Sequence, residues 1–162
     1  MKLINSYHNK ILILFVIFIY NFYFSQTSYS EIIKPDQRIK PIEVVKIQLE
    51  SLMKNDLPKI DFGIEQTWEF AHPNNQKYTG PIEKFKEMLK GNNYSMLLNH
   101  IDHKITKVHK SDYKAVFEVV VLDDKKKYYK FLWQVEKNLD GKLKNCWLTT
   151  NVSPPVQVGN SI

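Results

Sequence analysis

Three residues near the middle of the chain, His100, Asp102 and His103, carry side chains suited to acid–base work or to holding a metal ion. Their spacing works against both uses. On an extended segment neighbouring residues alternate between faces, so His100 and Asp102 share one side and His103 takes the other. Asp61 and His72 are the remaining groups that a pocket could use, since an apolar cavity raises a carboxyl pKa and makes it a useful acid or base. Each also has a plainer role. Asp61 stands where a helix N-cap is expected, and His72 precedes Pro73 at a helix end, where a cation favours the dipole. The single cysteine, Cys146, lies between Asn145 and Trp147 in a strand-like run and reads as a buried, inert thiol, so no intrachain disulfide forms. No phosphate-cradling glycine loop, zinc pattern or serine elbow is present, and neither a cofactor nor a metal is expected.

The elements that must position these residues follow from apolar spacing. Pro41 suits the first turn of a helix, and Ile42, Val45, Leu49 and Leu52 recur at helical spacing until Asn55-Asp56-Leu57-Pro58. The stretch from Asp61 to Pro81 then reads as a short aromatic helix, a break at His72-Pro73, a polar loop over Asn74 to Lys77, and a third helix opened by Gly80-Pro81. Ile82, Phe85, Met88 and Leu89 form the buried face of that third helix. From Ile101 the period changes to two. Strands are expected at Ile101–His109, Tyr113–Leu122, Tyr128–Glu136 and Leu143–Asn151, with turns at Ser111-Asp112, at Asp123-Asp124 with its three lysines, and at Asp140-Gly141. Pro154-Pro155 is expected to end the last strand, leaving 154–162 as a flexible tail. Helices first and an antiparallel meander after them make an α+β plan of three helices on a curved four-stranded sheet.

Formal net charge is +6, and Lys2 and Lys10 are the only charged residues among the first thirty. That modest surplus is no nucleic-acid footprint, and no nucleic-acid partner is expected. Residues 1–30 look like a targeting leader: a basic start, an apolar core from Ile11 to Tyr20, and Ser28 and Ser30 at a plausible cleavage pair before Glu31. The apolar run to Phe24 is shorter than the roughly 20 residues a membrane span needs. A cleaved signal peptide is the expectation, with a membrane anchor over 11–24 as the alternative, and the secretory route as the destination. Residues 31–40 read as a linker and 41–153 as one domain.

The resemblance lies in PIEVVKIQLESLMKND (Pro41–Asp56), GIEQTWEFAHPNN (Gly63–Asn75), TGPIEKFKEML (Thr79–Leu89) and KNCWLTTNV (Lys144–Val152). With the element order, these make the chain resemble the cone-shaped nuclear-transport-factor-two-like superfamily, within it a branch of unknown function. The resemblance implies a sheet curled around the helices and a pocket at its open end. Trp68, Phe70, Phe117, Tyr129, Phe131, Trp133 and Trp147 are the candidates to line that pocket, although aromatics at such spacings more often form plain core. Enzymes of the superfamily place an Asp or His base in the pocket, which would call on Asp61, His72 or His100. The favoured expectation is non-catalytic: a domain that holds a small apolar ligand or a protein partner, with a homodimer possible across the outer sheet face. The alternative is a small isomerase, dehydratase or hydrolase.

Overall fold

Residues 31–160 are described by the computed structural model, and the leader expected over residues 1–30 lies outside them. Helix α1 spans Pro41–Met53, and its first turn is closed by Glu43, whose carboxylate accepts from the Lys40 N–H at 2.7 Å. Val44, Val45, Leu49 and Leu52 are fully buried along one stripe, with the polar Gln48 set among them. Helix α2, Phe62–Glu69, runs back against α1 with almost no gap: a Cβ on Gly63 would lie 2.2 Å from the Ser51 carbonyl oxygen. Asn55 makes the turn between them. Its carbonyl accepts from Gly63 N–H and its side-chain oxygen from Ile64 N–H.

Asp61 stands at the N-cap position of α2 but makes no capping bond there. Its backbone has a left-handed φ of 64°, and its carboxylate turns to Lys90, with Oδ2 2.7 Å from Nζ. Asn55 has taken the capping donors, so the expected cap is corrected.

The segment expected as a polar loop is a helix, α3, spanning Pro73–Thr79. Pro73 occupies its first turn, where no N–H is required, and His72 Nδ1 accepts from Asn74 N–H at 3.2 Å. His72 is therefore the N-cap of this helix, and its expected role at the end of the previous one is corrected. None of its side chains is buried, so apolar periodicity left no trace of it. Helix α4, Ile82–Lys90, buries Phe85 and Leu89, and a 3-10 turn follows at Ser95–Leu97.

Strands β1 (Asp102–Lys110), β2 (Lys114–Leu122), β3 (Lys127–Lys137) and β4 (Trp147–Val152) pair antiparallel in chain order. Burial alternates along β2, placing Ala115, Phe117, Val119 and Val121 in one core with Phe131, Trp133 and Val135 of β3 and the α1 stripe. The hairpin at the three lysines forms as expected, with Lys126 in the left-handed region and Asp123 accepting from Lys127 N–H at 2.7 Å. The last expected strand begins later than Leu143. A wide connection intervenes, closed by Asn138 N–H on Cys146 O and Asn145 N–H on Asn138 O, at 2.8 and 2.7 Å.

The tail is also corrected. Val156–Asn160 forms a fifth strand, β5, on β3. β4 pairs with Trp133–Lys137 and β5 with Lys127–Lys130, so the two follow the same edge of β3 on either side of Pro154-Pro155. Prolines lack the ladder N–H but do not turn the chain away, and Ser153 carries it across the gap: its N–H donates to Leu132 O and its Oγ accepts from Leu132 N–H. The linker before α1 is docked as well. Ile33 N–H and C=O both bond to the side chain of Gln66, at 2.7 and 2.8 Å. The class is thus α+β, with four helices and a five-stranded antiparallel sheet among the described residues. No helix among them is long and apolar enough to cross a membrane.

Candidate functional site

A cavity of about 230 Å³ lies among all four helices, the 3-10 turn and the strands β3 and β4. Its deepest polar group is Gln48, which α1 presents on its otherwise apolar stripe and which is 1% exposed. The Gln48 side-chain oxygen accepts from Thr149 Oγ1 at 2.6 Å and from the Trp133 indole N–H at 3.1 Å. Its Nε2 donates to the Thr67 carbonyl at 3.0 Å, and among the described residues its second amide hydrogen has no partner. Trp133 N–H also reaches Thr149 Oγ1, at 3.2 Å. Helix α1, strand β3 and strand β4 therefore meet in one buried network, the form in which polar groups are tolerated inside a core.

Toward the helix side the wall is amide and hydroxyl. Asn75 Nδ2 donates to Thr149 O at 3.1 Å, and Thr79 Oγ1 donates to Asn75 O at 2.8 Å. Opposite them Tyr94 OH donates to Val152 O at 3.3 Å, and burial raises the Tyr94 pKa above its ordinary value. The apolar wall includes Leu52, Phe85, Leu89 and Leu97. Among the lining residues there is no carboxylate, ammonium, guanidinium or imidazole. Such a site can accept and donate hydrogen bonds, but it offers no group to take a proton near neutral pH.

Of the seven aromatics expected at a pocket, Trp133 alone lines it. Phe70, Phe117 and Phe131 are buried core, and Tyr129 packs partly against it. Trp68 packs against Phe85 with ring centres 5.0 Å apart and planes tilted by 49°, and so stands behind the wall. Trp147 is buried, with Lys137 Nζ 5.4 Å from its ring centre. Alternation in a strand tells which face a residue joins and not how far along the strand the cavity falls. Gln48 and Thr149 were missed, although a lone Gln on an apolar helical stripe is a legible signal.

None of Asp61, His72 and His100 lines the cavity. Asp61 is ion-paired to Lys90, with its Oδ1 buried and, among the described residues, without a hydrogen-bond partner. Burial raises the Cys146 thiol pKa, keeping it protonated. His100 and His103, however, do converge. His100 Nε2 lies 2.8 Å from His103 Nδ1, and His100 Nδ1 lies 2.7 Å from Leu97 O. The expected separation fails because His100 precedes β1: Asn99 has a φ of 54°, and the two-residue alternation begins only at Asp102. Asp102 accepts instead from His103 N–H. Burial lowers the His100 pKa to about 4 and also lowers that of His103, against the pull of Asp102. No group of three or more His, Cys, Asp or Glu among the described residues is placed to hold a metal ion.

Fold and site together define an α+β domain with a small, partly open cavity of uncharged lining. Residues 35–156 match the family described as a domain of unknown function (DUF4864), and the chain belongs to that family. No curated protein and no solved structure matches it.

Proposed function

We propose that this is a non-catalytic binding domain of the nuclear-transport-factor-two-like kind, carried into the secretory route by its leader, and that its cavity holds a small, uncharged ligand. The observation that carries the reading is the lining: apolar side chains with amides and hydroxyls, and no acid–base group among them. Desolvating a charge in such a place, with nothing opposite to pair it, costs several kcal/mol, on the order of what a small ligand gains by binding. A neutral molecule with an apolar body and one carbonyl or amide would meet the spare Gln48 hydrogen without that penalty. A volume of about 230 Å³ admits roughly a single ring with a short substituent. Support for the superfamily comes from the helix-then-meander order and the motifs at Pro41–Asp56 and Gly63–Asn75.

The outer sheet face supports a docking role less well. Cross-strand pairs Lys130–Glu118 and Lys114–Glu136, at 3.5 and 3.9 Å, interrupt its apolar residues. The pocket-enzyme alternative needs Asp61, His72 or His100 in the cavity, where none of them lies.

Titration of the full chain with benzamide, benzyl alcohol and benzoate tests the proposal, read by NMR shifts of the side-chain amides. The two neutral probes are expected to saturate and to move the Gln48 and Asn75 signals, while benzoate does not. Ala71→Leu, adding bulk at a lining position, is expected to abolish the effect. Equal binding of benzoate, or binding untouched by that substitution, would refute it.

A further inference from the structure

The two histidines that pair at the start of the sheet are joined to the cavity by one hydrogen bond. Leu97, whose carbonyl oxygen is 2.7 Å from His100 Nδ1, is itself a lining residue, and so is Tyr94 in the same turn. A carbonyl oxygen can only accept, so His100 Nδ1 carries the hydrogen. Neutral His100 then has a lone pair at Nε2, and His103 Nδ1 must donate to it across the 2.8 Å gap. The result is a directed chain, His103 to His100 to Leu97, with His103 Nε2 left as the open nitrogen.

We propose that this pair is a proton-operated catch on the cavity wall, holding the Ser95–Leu97 turn in place while His100 is neutral and releasing it when His100 gains a second hydrogen. The proton count gives the reason. A first proton settles on His103 Nε2 and leaves the chain of bonds intact. The carboxylates that favour it there are Asp102 of β1 and Glu50 of α1, which face His103. A second proton must go to His100 Nε2, setting two N–H groups against each other at 2.8 Å. One ring then has to leave: the Leu97 carbonyl favours a charged His100, but the larger effect is burial, and that ring, 2% exposed, cannot be hydrated where it stands. Its departure frees the Leu97 carbonyl and the wall that Leu97 and Tyr94 supply. The burial that depresses the His100 pKa places the event in acid, well below the ordinary imidazole range.

The catch rests on the cavity reading only for its consequence, and the experiment separates the two. Amide signals of residues 95–98 and benzamide affinity are followed in the full chain from pH 7 to pH 4. In the wild-type chain the turn signals are expected to shift as the pH falls below about 5, and benzamide to bind about twofold more weakly at pH 4, where about half the His100 rings are charged. His100→Asn keeps a donor for Leu97 O without a titrating ring, and both changes should vanish in it. His103→Leu removes the opposing N–H, so protonation of His100 sets up no clash and the turn should stay held to lower pH than in the wild type. Turn signals that respond to acid alike in all three chains would overturn the proposal, as would a turn that stays still while the His100 ring titrates. If benzamide binds none of them while the turn still follows His100, the catch stands and the cavity reading fails.

Discussion

The Trp133 indole N–H donates to the Gln48 side-chain oxygen at 3.1 Å, so the sheet is tied to the first helix at the floor of the cavity. Gln48→Leu keeps the volume and removes every polar contact of that side chain. It leaves the Thr67 carbonyl without the Gln48 amide and Thr149 without its acceptor. We expect a loss of about 1–3 kcal/mol, since buried groups stripped of partners cost their desolvation. Denaturant unfolding followed by Trp fluorescence checks it. An unchanged midpoint would show that the network does not hold the helix to the sheet.

Gly63 is where α1 and α2 come closest. Gly63→Ala sets a methyl 2.2 Å from Ser51 O and 2.9 Å from the Asn55 Cα, both backbone atoms. Neither can swing aside, and a destabilisation of about 2 kcal/mol or more is expected. Gly159→Ala meets nothing within 4 Å and should stay within about 0.5 kcal/mol of the wild type. Thermal or urea midpoints of the two variants give the comparison.

Stability should depend on His100 in a defined pH window. Its pKa is lowered from 6.5 to about 4 on folding, so the unfolded chain binds the proton first. The contribution is complete above pH 6.5 and is lost as the pH falls toward 4, by about 3 kcal/mol at most. Urea midpoints measured every half unit should fall across that window and flatten in His100→Asn. Asp56 and Glu65 act elsewhere. Hydrogen bonds from Asn99 and the Asp61 N–H lower the Asp56 pKa, while at Glu65 Lys59 and Lys86 outweigh the opposing effect of burial. Both carboxylates are depressed on folding, so their contribution is present above the ordinary carboxylate range and is lost as the pH falls below it.

The Asp61–Lys90 pair joins the start of α2 to the end of α4. Lys90→Met leaves the carboxylate with neither a cation for Oδ2 nor a partner for Oδ1. Lys90 is half exposed, so the expected loss is about 1–2 kcal/mol, below that of a fully buried pair. Adding Asp61→Asn to Lys90→Met should recover part of it. Equal stability of the single and double variants would show that the charge is solvated and the pair idle.

What could be read from the chain was what period carries. The α1 stripe and the alternation of β2 and β3 fixed the class and the order of the main elements. Helix α3 escaped because it is polar throughout and is held by caps such as His72 Nδ1 and Thr79 Oγ1 rather than by burial. β5 escaped because two prolines look like an ending when only the bonding partner is interrupted. The cavity was missed for a further reason: Gln48, Asn75 and Thr149 are far apart in sequence, and only the packing of α1 and α3 on β4 brings them together. The same is true of His100 and His103, whose meeting depends on the left-handed Asn99.

The claim at the centre is that the cavity accepts a small neutral molecule on the Gln48 side chain. The most direct test is a crystal structure of the protein grown with benzamide. The account predicts benzamide inside the cavity, its carbonyl oxygen accepting from Gln48 Nε2 and its ring against Phe85 or Leu97. A cavity closed by the protein's own side chains, or benzamide bound only at the surface, would contradict it.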